Sequence, residues 1–246
     1  MPGVNHLVGS IYHMVHFNNL QNIFQRRALL SHERVIQERI GYQSIAFEEV
    51  QDLRDRIFIK DFSQEAFRSL HSYVPFYFAT HTPMLFVQYK NGVQNEIVIF
   101  EVSRSILKDQ GVLFTDGNAT NQQLSKYIGE VVDIIPIAFQ YGTCHRRYRP
   151  SGPHGANTNR SDFYSDVAFL GRLAWDVIND RWFMDDERKR IKHAEVLVPD
   201  ILPLARLKGI FVRTQDMVQA VNNLITRCGL TGRIPSAVWR PGLYFQ

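Results

Sequence analysis

Apolar and polar positions divide the chain into strand-like and helix-like stretches separated by irregular ones. Ile11-Tyr12-His13-Met14-Val15-His16 alternates apolar and polar side chains, which predicts a short strand. Asn18 or Asn19 then caps a helix to about Arg27, with Leu20, Ile23 and Phe24 at helical spacing, and Ala28-Leu29-Leu30 follows. Residues 31–72 are charged and mixed in sign. Phe47, Val50, Leu53 and Ile57 give one amphipathic face there, so a solvated helical excursion over a cleft is expected. Prolines at 75 and 83 hold Phe76-Tyr77-Phe78 extended before the chain turns into Met84-Leu85-Phe86-Val87. Glu96–Val102 is nearly continuous in apolar residues and predicts a central strand.

Leu113-Phe114-Thr115 ends a strand, and Asp116-Gly117 favours a turn after it. Asn121–Ile128 should be helical, with Val131–Ile135 either continuing it or forming a short strand. Tyr141 to about Asn159 has no periodicity. The expected irregular substrate loop spans about 141–194, broken by a helix around Val167–Val177. Ile201–Leu207 reads as a linker, Gly209–Arg213 as a closing strand, and Gln215–Cys228 as a helix capped by Thr214. The tail from Ile234 to Phe245 is extended. Its last residues, Leu243-Tyr244-Phe245-Gln246, look like the end of a protease-tag site and take no part in the functional reading.

Between these segments, Arg188-Lys189-Arg190-Ile191-Lys192-His193 runs into Ala194-Glu195-Val196-Leu197-Val198. A single carboxylate entering an apolar strand is costly to bury without a partner. Glu195 is therefore a functional candidate, against the competing reading of an edge-strand acid facing water or pairing with Lys192. In the irregular loop, His145, Arg146, Arg147, Tyr148, Arg149 and His154 interleave cations with rings, as single-stranded nucleic acid requires for phosphates and bases.

Composition narrows the class. The 246 residues carry a net charge of +4, and 45% are hydrophobic and 21% charged, as in an ordinary globular domain. The cationic excess is small, so a polyanionic partner is argued from clustering rather than from total charge. The two cysteines, Cys144 and Cys228, have no metal-ligand spacing, which points to a reducing compartment and away from a structural zinc. No apolar run is long enough to span a membrane, and the N-terminus lacks a signal-peptide pattern.

Several segments, in this order, resemble the DarT family of toxins that ADP-ribosylate bases in single-stranded DNA. They are Tyr12-His13-Met14-Val15-His16, Asn19-Leu20-Gln21-Asn22-Ile23 with Leu29-Leu30, and Val74-Pro75-Phe76-Tyr77-Phe78 with Pro83-Met84-Leu85. Phe114-Thr115-Asp116-Gly117-Asn118-Ala119 and His193-Ala194-Glu195-Val196-Leu197-Val198 complete the set. Each motif alone is weak; their joint order is specific. The resemblance implies one α+β domain over residues 1–246 with the ADP-ribosyltransferase fold: two facing, mostly antiparallel sheets, flanking helices and an NAD cleft. It also implies no metal, a cytoplasmic monomer, and a macrodomain antitoxin of the DarG type as partner.

By position, the resemblance gives cofactor roles to His13, the backbone of Met14 and Val15, Asn22, Leu30, Tyr77 and Phe78. Residues 67–83 would cover the cofactor, and the loop before Glu195 would present the DNA. Glu195 would orient the ribose of NAD, stabilise the developing oxocarbenium charge and take the proton of the attacking base nitrogen. Thymidine-modifying members carry an arginine between the aromatics and Pro-Met-Leu, where this chain reads Thr80-His81-Thr82. His81 is therefore expected either to replace that arginine as an acid–base group or to mark a different acceptor base, guanine in place of thymine. Two other readings stand beside this one: a transferase of the same fold acting on RNA or protein, and a nucleic-acid-binding module without catalysis.

Overall fold

Strand β1 (Ser10–His16) forms where alternation predicts it, and α1 (Leu20–Arg26) follows. The computed structural model describes residues 5–46, 48–61, 66–120 and 161–246. Arg27 closes α1 in the left-handed region, at φ 56°, and turns the chain into β2 (Ala28–Leu30). The charged stretch beyond is only partly helical. It holds α2 (His32–Gln37), whose Arg34 amide is capped by the Ser31 hydroxyl, and α3 (Glu48–Asp55). A hairpin of β3 (Phe58–Asp61) and β4 (Ala66–Ser69), which periodicity did not predict, completes it.

β5 (Tyr73–Tyr77), α4 (Pro83–Lys90), β6 (Ile97–Ser103) and β7 (Leu113–Thr115) come next. The expected segments at 121–128 and 131–135, and the loop at 141–159, lie outside the described residues. From 161 to 194 the chain is more regular than the expected loop. β8 (Phe163–Tyr164) leads to a 3-10 turn at Val167–Arg172, α5 (Trp175–Asn179) and α6 (Asp186–Lys192). The single helix expected at Val167–Val177 breaks because Leu173 is extended, and the Trp175 indole N–H closes the break on the Leu170 carbonyl at 2.7 Å. The Asp185 carboxylate caps α6 at 2.7 Å, so the basic approach to Glu195 is helical. β9 (Glu195–Pro199), β10 (Ile201–Pro203), β11 (Leu207–Val212), α7 (Gln215–Arg227) and β12 (Ala237–Trp239) finish the chain.

Eight strands form one hydrogen-bonded ladder in the order β12-β11-β6-β1-β5-β9-β7-β8, antiparallel except for β11 with β12. β6 lies inside it, as its apolar run predicts, with Ile97 to Phe100 all buried. The two expected sheets are two four-stranded halves of this ladder, joined at a weak seam. β1 pairs with β6 from Ser10↔Ser103 to His16↔Ile97, but with β5 only at Tyr12↔Tyr77. Beyond that pair the two halves part.

Two stretches read as connections are structural. Ile201–Pro203 pairs with β2, and Leu202 and Leu204 are buried. The terminal residues are core. The Tyr244 hydroxyl lies 2.9 Å from both the Ile97 and Phe211 carbonyls, while the Phe245 backbone exchanges two hydrogen bonds with the Gln94 amide. Both rings are fully buried, because they fill the space between α4 and the face of β1 and β6 that carries Met14, Ile97 and Ile99. Phe245→Ala is expected to lower stability by about 3–5 kcal/mol in a urea unfolding titration, as truncation of a buried ring does. A loss below about 1 kcal/mol would show that the tail is dispensable.

Candidate active site

Side chains opposite one another on adjacent strands share a face of the sheet. Tyr12 pairs with Tyr77, and Tyr77 with Glu195, so all three stand on one face beside the seam. Glu195 is 3% exposed, and its backbone amide donates to the Thr115 hydroxyl at 3.0 Å. That hydroxyl donates in turn to the Gly117 carbonyl at 2.6 Å, fixing the Asp-Gly turn. Gly117 is required for close approach rather than for a left-handed backbone: a Cβ there would lie 2.3 Å from the Arg190 guanidinium. The turn thus aims the Ala119 amide at the Glu195 carboxylate, at 3.3 Å.

The main partner of Glu195 comes from the charged excursion. Arg54 on α3 donates from Nη1 to both carboxylate oxygens, at 3.0 and 3.3 Å, across 141 residues of sequence. Its Nη2 is buried without a hydrogen-bond partner among the described residues. The wet-face expectation for this stretch fails here, since Arg54 is 8% exposed. A readable signal existed: Arg54 lies four residues after Val50 and so shares the apolar side of α3.

Above this pair lies a cavity of about 300 Å³, lined by Arg54, His71, Tyr77, Met84, His193 and Glu195 among others. Burial, then the Glu195 charge, hold the Tyr77 phenol above its ordinary value, so it stays a neutral donor. Burial likewise holds His193 below its ordinary value, against the pull of Glu195. His32 and Pro75 also line a second cavity of about 180 Å³, which holds His13, Val15, Asn22 and Leu30. Burial depresses the His13 imidazole to about 4, partly opposed by its hydrogen bond to the Pro75 carbonyl at 2.7 Å. At neutral pH its Nδ1–H therefore donates to Pro75, and Nε2 remains an acceptor. Asn22 ties the wall of this cavity down by donating to the Gly41 carbonyl at 2.9 Å.

Met14 buries its side chain with Leu85, Tyr244 and Phe245, which leaves the backbone, the part expected to meet the cofactor. Two other expected site residues stand elsewhere. Phe78 is core, edge-on to Trp175 at 5.3 Å and to Phe114 at 6.3 Å, because alternation along the chain turns it away from Tyr77. His81 does not line the Glu195 cavity; it sits edge-on to Phe245 at 5.1 Å, with Nε2 3.3 Å from the Tyr244 carbonyl. The arginine that meets Glu195 comes from α3. His145, Arg146, Arg147, Tyr148, Arg149 and His154 lie outside the described residues. Among the described residues no group of three or more His, Cys, Asp or Glu could hold a metal, and no helix is long and apolar enough to cross a membrane.

The family model "ssDNA thymidine ADP-ribosyltransferase, DarT" matches residues 12–140 and 151–245. This chain belongs to the DarT family. A DNA ADP-ribosyl transferase of Thermus aquaticus is 38% identical over 88% of this chain and 81% of its own length. The DarT of Thermus sp. 2.9 shares the fold, in structures with ADP-ribosylated single-stranded DNA (TM-score 0.73, 24% identity, 96% of each chain) and with NAD+ (TM-score 0.70, 23% identity, 96% of this chain and 97% of that one). A Thermosipho africanus protein that fuses a DNA ADP-ribosyl transferase to a DNA ADP-ribosyl glycohydrolase is 25% identical over 52% of this chain and 32% of its own length.

The buried ion pair gives a direct test. Arg54→Met leaves the Glu195 carboxylate uncompensated, which destabilises the fold by about 3–5 kcal/mol. Adding Glu195→Gln to that variant should recover part of the loss in urea unfolding. Additive losses would show that the two side chains do not interact.

Proposed function

We propose that this chain transfers ADP-ribose from NAD to a base of single-stranded DNA, with Glu195 as the catalytic carboxylate and Arg54 as its cationic partner. The observation that carries the reading is the buried Arg54–Glu195 pair on the wall of one cavity, next to a second cavity holding His13, in a member of this family. The residues present fit NAD. His13 offers an acceptor to a ribose hydroxyl, Val15 and Leu30 give apolar walls, and Asn22 adds a polar edge. Tyr77 is the proposed flat neighbour of the nicotinamide ring, and Arg54 keeps a buried N–H without a partner among the described residues. The Thermus sp. 2.9 relative, solved with NAD+, supports NAD as the ADP-ribose donor.

When bound, NAD supplies the ADP-ribosyl group: its glycosidic bond breaks with the electron pair leaving on nicotinamide, as the ribose carbon bonds to the base nitrogen. Glu195, held by Arg54 and the Ala119 amide, stabilises the positive charge that develops on the ribose and accepts the proton lost by the base. Arg54 holds that carboxylate in one orientation and stabilises negative charge developing on an imide base. Thymine is such a base, and the family description names thymidine, so thymine is the acceptor we favour.

The basic residues His145, Arg146, Arg147, Tyr148, Arg149 and His154 are the proposed contacts to DNA phosphates and bases. A macrodomain glycohydrolase of the DarG kind is the proposed antagonist in the cytoplasm, supported by the Thermosipho africanus fusion. Glu195→Gln should lower transfer from labelled NAD to single-stranded DNA by roughly a hundredfold or more, in line with loss of a principal electrostatic group, while the chain stays folded. Unchanged transfer would remove Glu195 from the mechanism.

A further inference from the structure

Two histidines stand where the cavities meet. His32 on α2 and His71, in the turn before β5, share a hydrogen bond between their Nδ1 atoms, with ring centroids 4.3 Å apart. The Nε2 of His32 lies 2.7 Å from the Tyr42 hydroxyl, and the Nε2 of His71 lies 2.8 Å from the Gln51 carbonyl of α3. His71 is 4% exposed.

The chemistry of these partners fixes the protons. A carbonyl only accepts, so the His71 Nε2 carries hydrogen. In a neutral ring its Nδ1 is then bare and accepts from the His32 Nδ1–H. The neutral His32 in turn has a bare Nε2, which accepts from the Tyr42 hydroxyl. One directional chain results: Tyr42 to His32 to His71 to Gln51. A single added proton can be accommodated by reversing the first two links. A second cannot, because both Nδ1 atoms would then carry hydrogen and face each other. The charged and titratable neighbours are Asp55, 3.4 Å from the His71 Nε2, and Arg54, with Glu195 and His193 across the cavity.

The endpoint of the chain gives it a purpose. Gln51 and Arg54 are three residues apart on α3 and therefore share its face. We propose that the His32–His71 pair is a positioning latch that holds α3 so that Arg54 meets Glu195, and that a second proton on the pair releases it. This rests on the proposed reaction. Both His71 ring nitrogens are engaged within the protein, so His71 acts through Arg54 rather than on NAD.

The direction with pH follows from His32, which burial and the adjacent His71 hold below its ordinary value. A histidine depressed in the folded state contributes no penalty above its unfolded value, near 6.5. As pH falls through that value the unfolded chain takes the proton first and stability declines, whereas the latch holds until the folded pair takes its second proton. Transfer to single-stranded DNA, measured on the full chain from about pH 5 to about pH 8, should therefore fall at the acid end.

His71→Asn keeps an acceptor for His32 but cannot also reach Gln51. It should lower kcat roughly tenfold to a hundredfold, as misplacement of a reacting group does, with KM for NAD changed less than about threefold and the acid fall flattened. An unchanged pH profile, or a change in KM alone, would overturn the latch. Should the variant fail to fold, nitrogen-detected NMR of the labelled wild-type chain decides. Hydrogen on the His32 Nδ1 and the His71 Nε2, with a scalar coupling across the Nδ1–Nδ1 hydrogen bond, is expected; the opposite tautomers or no such coupling overturn the proposal. A wild-type chain with that pattern that releases no nicotinamide and marks no DNA would instead overturn the reaction on which the latch's role rests.

Discussion

The structure depends on keeping one carboxylate charged inside an apolar strand. Glu195 opens β9 between the buried Ala194 and Val196, where an unpaired anion would cost several kcal/mol. Two separate regions of chain meet it: α3 through Arg54, and the end of β7 with its turn, through the Thr115 hydroxyl on the Glu195 backbone and the Ala119 amide on the carboxylate. Without its place against Glu195, the excursion at 31–72 would be an ordinary charged surface. With it, the excursion walls both cavities.

The opening beside Glu195 has its own cause. β1 is fully laddered to β6 but touches β5 at one registered pair, and beyond it the Pro75 carbonyl is taken by the His13 ring. Pro75 has no amide hydrogen to add to any ladder. The halves part at this point, and His13 and Glu195 come to line adjacent cavities with Pro75 and His32 in both walls. A deeper ladder between β1 and β5 would close the seam. The fold therefore gives up pairing where its function needs space.

Much of this was legible in order along the chain. The apolar run of β6, the alternation of β1 and the capped helix α7 are local patterns, and local patterns survive folding. Glu195 was legible because an acid is conspicuous among Ala194, Val196 and Val198. Arg54 was not, since Leu53-Arg54-Asp55-Arg56 reads as solvated charge and its partner lies 141 residues away. His81 misled for the same reason: adjacency in sequence placed it near the aromatics, whereas in space it belongs to Phe245. The tail misled most. Tyr244 and Phe245 carry no periodic signal, yet their rings close the core above β6.

The measurement that bears most directly on the central claim is the mass of single-stranded DNA after incubation with the protein and NAD. Four oligonucleotides, each lacking one base, are compared. A gain of one ADP-ribose on every strand except the one without thymine is the predicted result, and nicotinamide should appear in equal amount. Gain on all strands but the one without guanine would keep the transferase and contradict the acceptor assigned through Arg54. No gain on any strand would contradict the account of Glu195 and Arg54 as a DNA ADP-ribosylating pair.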